Sequence, residues 1–279
     1  ITMAFAPNLK QISQKMFADC ENLELFYALN LERTISSNPN LSPFGQTKVK
    51  DADFPLMRYV GDHGFWKSSV EYVNLPNCSE IGGSAFGCCK LKEVQMPKLT
   101  SCGDYAFFNC QFLTSTKLPC LTVVGESAFA NCSSLKRISL KNAFQIKKSA
   151  FYNCQSLVEV NIPQAVDVEP GSFAMSPKLS ILMCSLKKSA FSCSDLDCRS
   201  ERMCFICQDR IEQCLQNGRW RKFELKHAKL YDRWKQSYAS FWKIYTCRNG
   251  HKTMVRKMSD LMFHFEDQLR DSLEHKAVQ

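Results

Sequence analysis

Apolar positions along this chain recur with a period of 21 or 22 residues. Phenylalanine marks the period at Phe86, Phe107, Phe129, Phe151 and Phe173. Three residues after each stands a small side chain: Cys89, Cys110, Cys132, Cys154 and then Ser176. An apolar triplet at spacing three and two follows, as Leu91/Val94/Met96, Leu135/Ile138/Leu140 and Leu157/Val160/Ile162. The alternation in its second half reads as a short strand with two side chains inward. Pro76, Pro97, Pro119 and Pro163 follow closely and end the strand, because proline donates no hydrogen bond to a ladder. The next segment, as in Ile81-Gly82 and Val124-Gly125, turns the chain and sends the following Phe into the core. One such coil cannot bury its own apolar side. It must stack on its neighbours, with strands of adjacent coils paired in parallel ~4.8 Å apart.

An early coil is visible at Phe17, Cys20 and Leu23. The next, with Phe44 and Thr47, lies 27 residues on, which implies a loop insertion around Ser36–Pro43. Ile1-Thr2-Met3 reads as the end of a repeat strand, and Ile1 as first residue leads us to expect a fragment or processed chain. Phe65 and Ser68 restore the period, and Phe191, 18 residues after Phe173, closes a shortened last coil. About eight coils are predicted. From Glu201 the period stops. Trp220, Phe223, His227, Tyr231, Trp234, Tyr238, Phe241 and Tyr245 then follow at helical spacing, and Val255, Met258, Met262, Phe265, Leu269 and Leu273 form a second stripe. With Asn249-Gly250 as the turn, this predicts a helical hairpin. A helix over Glu201–Leu215 would begin the cap that a repeat array needs over its last open core. The expected domains are a solenoid over 1–198 and a helical, basic, aromatic-rich region over 199–279.

The repeat resembles the BspA-like class of leucine-rich repeats, over residues ~1–196. The resemblance implies a solenoid used for binding or adhesion, with no catalytic residues to carry over. It also brings in surface proteins, since the class includes bacterial ones. The degenerate second coil and the short last coil depart from the pattern.

Solenoids of this kind usually bind through the strand face. Two outward columns follow from the alternation: Tyr72, Glu93, Ser115, Arg137, Glu159, Ile181 and Asn74, Gln95, Lys117, Ser139, Asn161, Met183. Neither carries the repeated Lys/Arg stripe or the aromatic platform that nucleic acid favours. Mixed polar groups ending in Ile181 and Met183 suit a protein partner. A merely solvated face is the competing reading.

Charge sharpens one part of this picture. From Arg199 on there are 17 Lys and Arg against 10 Asp and Glu, while residues before it hold 19 against 17. The tail could therefore approach acidic surfaces. No apolar run approaches the ~18 residues of a membrane span. The 16 cysteines would suggest a disulfide scaffold in a short secreted chain. Here Cys20, Cys89, Cys110, Cys132 and Cys154 share one repeat position, which predicts a ladder of buried free thiols. An intracellular site follows from that ladder, with a secreted or cell-surface site as the alternative.

Candidate chemistry is sparse. Cys204-x-x-Cys207 with Cys247-x-x-x-His251 has the ligand types of tetrahedral zinc. No later Cys pair follows His251, so a RING finger is excluded, and two buried helix cysteines with an exposed turn is the competing reading. No cofactor is expected otherwise. His63, in Gly-Asp-His-Gly, has no nucleophile beside it in sequence and reads as a loop residue. Phosphate-binding glycine loops, HExxH and GxSxG are absent from the sequence. The sequence therefore points to a non-catalytic protein-interaction scaffold, a structural or accessory subunit of a larger assembly. An extracellular adhesin and a zinc-stabilised binding module are the alternatives.

Overall fold

The computed structural model describes residues 2–14, 16–18, 20–36, 40, 42–186, 212–219 and 221–222. The chain divides into two compact units, Ile1–Lys222 and Phe223–Gln279. All described residues lie in the first, which is a parallel-strand β-solenoid of about eight turns.

Each coil contributes one longer and one very short strand. The longer ones are β1 (Met3–Phe5), β3 (Leu25–Tyr27), β5 (Asp51–Asp53), β7 (Tyr72–Asn74), β9 (Glu93–Gln95), β11 (Ser115–Lys117), β13 (Arg137–Ser139), β15 (Glu159–Ile162) and β17 (Ile181–Cys184). The two-residue strands are β2 (Gln11–Ile12), β4 (Arg33–Thr34), β6 (Tyr59–Val60), β8 (Glu80–Ile81), β10 (Ser101–Cys102), β12 (Val123–Val124), β14 (Gln145–Ile146) and β16 (Asp167–Val168). These short strands pair into one continuous eight-stranded parallel sheet. In the sequence pattern, segments such as Ile81-Gly82 and Val124-Gly125 read as turns. Two residues per coil are enough because every neighbour repeats the same pair in register, as Ser101↔Val123 and Cys102↔Val124.

The longer strands form three parallel sheets, β1-β3, β5-β7-β9-β11 and β13-β15-β17. The break after β11 coincides with Thr116, half-buried at the inward position that Val94 and Ile138 occupy in the flanking coils. Met3 begins β1, so the opening residues start a strand where the sequence pattern suggested the end of one.

A column of rings holds the coils together. Phe44, Phe65, Phe86, Phe107, Phe129, Phe151 and Phe173 stack almost parallel, with neighbouring centroids 4.6–5.8 Å apart. Phe17 joins the stack against Phe44 at 5.8 Å, so the 27-residue step leaves the column unbroken. Phe191 lies outside the described residues.

Residues two before and two after the central Phe adopt positive φ in most coils, as Tyr105 and Asn109 do (φ 59° and 57°). Such angles are uncommon away from glycine. They are held by hydrogen bonds between coils, Phe107 N–H donating to Ala128 O (2.8 Å) and Asn109 N–H to Ala130 O (2.8 Å).

The position three residues after each Phe binds the coils a second way. The thiols of Cys89, Cys110, Cys132 and Cys154 donate to the carbonyls of Phe65, Phe86, Phe107 and Phe129, each one coil back, at 2.9–3.3 Å. Ser176 Oγ makes the same bond to Phe151 O (3.0 Å). Cysteine and serine are thus interchangeable in kind here, since both bring one donor to the same carbonyl. All eleven described cysteines are free thiols, and the predicted ladder is present, with Cys20 half-buried at its start.

At the other end the array is met by a helix, α1, over residues 212–219. Cys214 and Leu215 are buried against the repeat core. Asn217 Nδ2 donates to Ser180 O (2.9 Å) and Cys214 Sγ to Leu179 O (3.5 Å). In the preceding coil the carbonyl equivalent to that of Ser180 belongs to Val158, which accepts from Ser180 N–H and Ile181 N–H of the next coil. Asn217 therefore satisfies the carbonyl that a further coil would have used. A helix thus meets the last coil, over 212–219; the part of the expected Glu201–Leu215 helix before residue 212 lies outside the described residues. The predicted hairpin and the boundary at residue 198 fall outside the described residues.

Candidate binding surface

The registers bring the predicted columns together rung by rung. Tyr72 pairs with Glu93 and Asn74 with Gln95, then Glu93 with Ser115 and Gln95 with Lys117. Beyond the break, Arg137 pairs with Glu159 and Ser139 with Asn161, followed by Ile181 and Met183. Ten of the predicted positions, Tyr72 to Asn161, are exposed or half-buried, and Ile181 is half-buried. Met183 differs: it is buried, at 2% exposure. α1 runs beside its backbone, with Gly218 so close that a Cβ there would stand 3.0 Å from Met183 N.

The structure also extends the columns backwards. Before Tyr72 stands Asp51 and before Asn74 stands Asp53, while β1 and β3, a sheet of their own, carry the pairs Met3↔Leu25 and Phe5↔Tyr27. All six point outward and are exposed. In sequence the columns are visible only from Tyr72 on, because the 27-residue step hides the register of the earlier coils. The inward Phe26 and Ala52, flanked by exposed neighbours, were the signal that could have found it.

Side chains on this face interact mostly between coils. Asn74 Nδ2 donates to Asp53 Oδ1 (2.9 Å), and Lys117 Nζ lies 3.3 Å from Glu93 Oε1. Lys92 hydrogen-bonds Glu71 and lies over the ring of Tyr72, 5.7 Å from its centroid. The Lys92 hydrogen bond holds the Glu71 carboxyl below its usual range, and the same bond holds the Lys92 ammonium above its own. Between the first rungs lies a shallow depression of about 220 Å³, lined by Asp51, Asp53, Tyr72, Asn74, Glu93 and Gln95 among others.

Elsewhere the titratable groups serve the fold. Burial pushes the Cys89 and Cys154 thiols up to about 12, and Cys110 and Cys132 well above the ordinary thiol value. These thiols stay protonated and are poor nucleophiles. His63 sits in a turn at φ 54°, edge-on to Trp66, with its Nδ1 buried and without a hydrogen-bond partner. Burial lowers its pKa, against the opposing effect of Asp62. Cys204, Cys207, Cys247 and His251, and the basic aromatic stretch from Phe223, lie outside the described residues. Among the described residues no helix is long and apolar enough to cross a membrane.

Residues 58–180 match the BspA type leucine-rich repeat region, in six copies. Similar solved structures include a leucine rich cell surface protein from Faecalibacterium prausnitzii A2-165, 20% identical, with a TM-score of 0.43 over 68% of this chain and 61% of that one. A leucine-rich repeat protein from Bacteroides ovatus is 21% identical, with a TM-score of 0.40 over 62% of this chain and 60% of the other. The T. pallidum leucine-rich repeat protein is 21% identical, with a TM-score of 0.46 over 64% and 78%. The chain thus spans about three fifths of the first two. No curated protein sequence matches it.

Proposed function

Residues 58–180 being a BspA type leucine-rich repeat region, we propose that the chain is a non-catalytic protein-interaction module, held as a subunit in a larger assembly. The observation that carries this reading is the strand face. It presents two columns of outward side chains over the sheets β5-β7-β9-β11 and β13-β15-β17, mixing carboxylates, amides, an aromatic ring and a few cations, on a backbone fixed by inter-coil bonds. Such a face offers many polar contacts without ordering cost at binding. The carboxylates among them oppose nucleic-acid phosphates. The basic residues beyond Arg199 would supply a second contact, toward acidic surfaces.

Site-specific photo-cross-linking tests the reading. A photoreactive residue at Asn74 or Asn161 is expected to form protein adducts in the native host. The same residue at Phe112 or Tyr152, exposed elsewhere on the coils, is expected to form few. Equal adducts from all four positions would remove the strand face from consideration.

A second reading, a module displayed at a cell surface, is supported by the repeat type itself. Eleven free thiols support a reducing compartment instead. Cys120 is exposed and separates the two: a membrane-impermeant maleimide labels it on intact cells only if the chain is displayed.

A further inference from the structure

We propose that the first rungs of the strand face dock a basic protein segment bearing apolar anchors. This rests on the strand-face reading above and names the partner's chemistry. Four outward side chains on β1 and β3 are large, apolar and open: Met3 at 55%, Phe5 at 72%, Leu25 at 44% and Tyr27 at 48% exposure. Their registers, Met3↔Leu25 and Phe5↔Tyr27, make them one patch two columns wide. Isolated exposed apolar residues need no explanation, whereas contiguous ones mark contact surfaces.

Charge then selects the occupant. The next coil, which opens a separate sheet, points Asp51 and Asp53 outward, followed in register by Tyr72, Asn74 and Glu93 around the 220 Å³ depression. From Met3 to Gln95 these outward strand positions hold no lysine or arginine; the first is Lys117. Asp53 accepts a hydrogen bond from Asn74, which leaves its charge uncompensated. A segment lying across these coils therefore meets apolar surface first and carboxylates next. Lysine or arginine beside leucine-like anchors complements both. Nucleic acid and anionic membrane are disfavoured by the same carboxylates. Tyr72 already shows how a ring on this face takes a cation, since Lys92 lies over it.

The full chain is titrated into a fluorescent synthetic peptide of about 12 alternating leucines and lysines, long enough to cross the first five coils. Leu/Glu and Ser/Lys peptides of equal length serve as comparisons. The Leu/Lys peptide is expected to bind, and both comparisons to bind at least about tenfold more weakly. Asp51→Asn with Asp53→Asn, and separately Leu25→Ser with Tyr27→Ser, are each expected to weaken Leu/Lys binding about tenfold, while Phe112→Ser, exposed elsewhere on the coils, leaves it unchanged. Binding indifferent to both double variants, equal binding of the Leu/Glu peptide, or no binding at about 1 mM would overturn the proposal. Strand-face cross-links that survive such a result would leave the broader reading standing and remove only this partner chemistry. All variants are outward-facing, so unchanged melting curves separate lost binding from lost folding.

Discussion

Phe5 and Met183 are each the third residue of a longer strand, at opposite ends of the described strands. Phe5 is 72% exposed and Met183 is 2% exposed. Their strands are built alike, and their side chains are both large and apolar. What differs is the neighbour: α1 lies against the Leu182–Met183 peptide, while the residues over β1 and β3 leave their outward side chains open. An apolar residue on this face is therefore not a demand of the coil. Its exposure depends on what lies near it, and at the β17 end α1 lies against the neighbouring backbone.

Substitutions sharpen the contrast between the two ends. The largest effect is expected for Leu215→Ala in α1, because Leu215 is buried against the core at 4% exposure. Thermal or chemical unfolding should show a loss of about 2–5 kcal/mol, the range for a buried leucine truncated without full collapse. Gly218→Ala comes next. Alanine would gain up to about 1 kcal/mol of helix propensity. Its Cβ, however, would stand far inside contact distance of the Leu182 carbonyl oxygen, a backbone atom that cannot swing aside. Shifting the helix off the last strand should cost about 1–3 kcal/mol, so a net loss is expected in the same unfolding measurement. Smallest is the opposite end. Phe5→Ser and Tyr27→Ser should each change stability by no more than about 0.5 kcal/mol. A loss comparable to that of Leu215→Ala would mean that these side chains belong to the core and would undo the contrast.

The same contrast shows what a sequence can reveal. The Phe ruler, the small side chain three residues on and the columns from Tyr72 to Asn161 were legible because each recurs, and recurrence separates a structural demand from chance. The eight-stranded sheet was not legible. Its two-residue strands are too short for any alternation to register, and only stacking defines them. Asp51 and Asp53 were hidden for another reason: their coil follows the 27-residue step, where a fixed ruler loses phase although Phe17 still stacks on Phe44. The burial of Met183 could not be read locally either. The helix that lies against this end comes some 35 residues later, as the Cys214–Leu179 contact shows. Local pattern predicts a coil, and only tertiary placement decides which outward residues stay outward.

The stack of phenylalanine rings has a mechanical consequence. The bonds between coils join each coil to its two neighbours, so a pull that lifts one end loads one coil interface at a time and leaves the rest at rest. Extension should therefore proceed as peeling. Each step frees about 22 residues, or roughly 75 Å of extended chain. An array built this way yields progressively, as a string of nearly equal small failures, and a coil that has let go leaves behind a fresh ring face on which it can rewind.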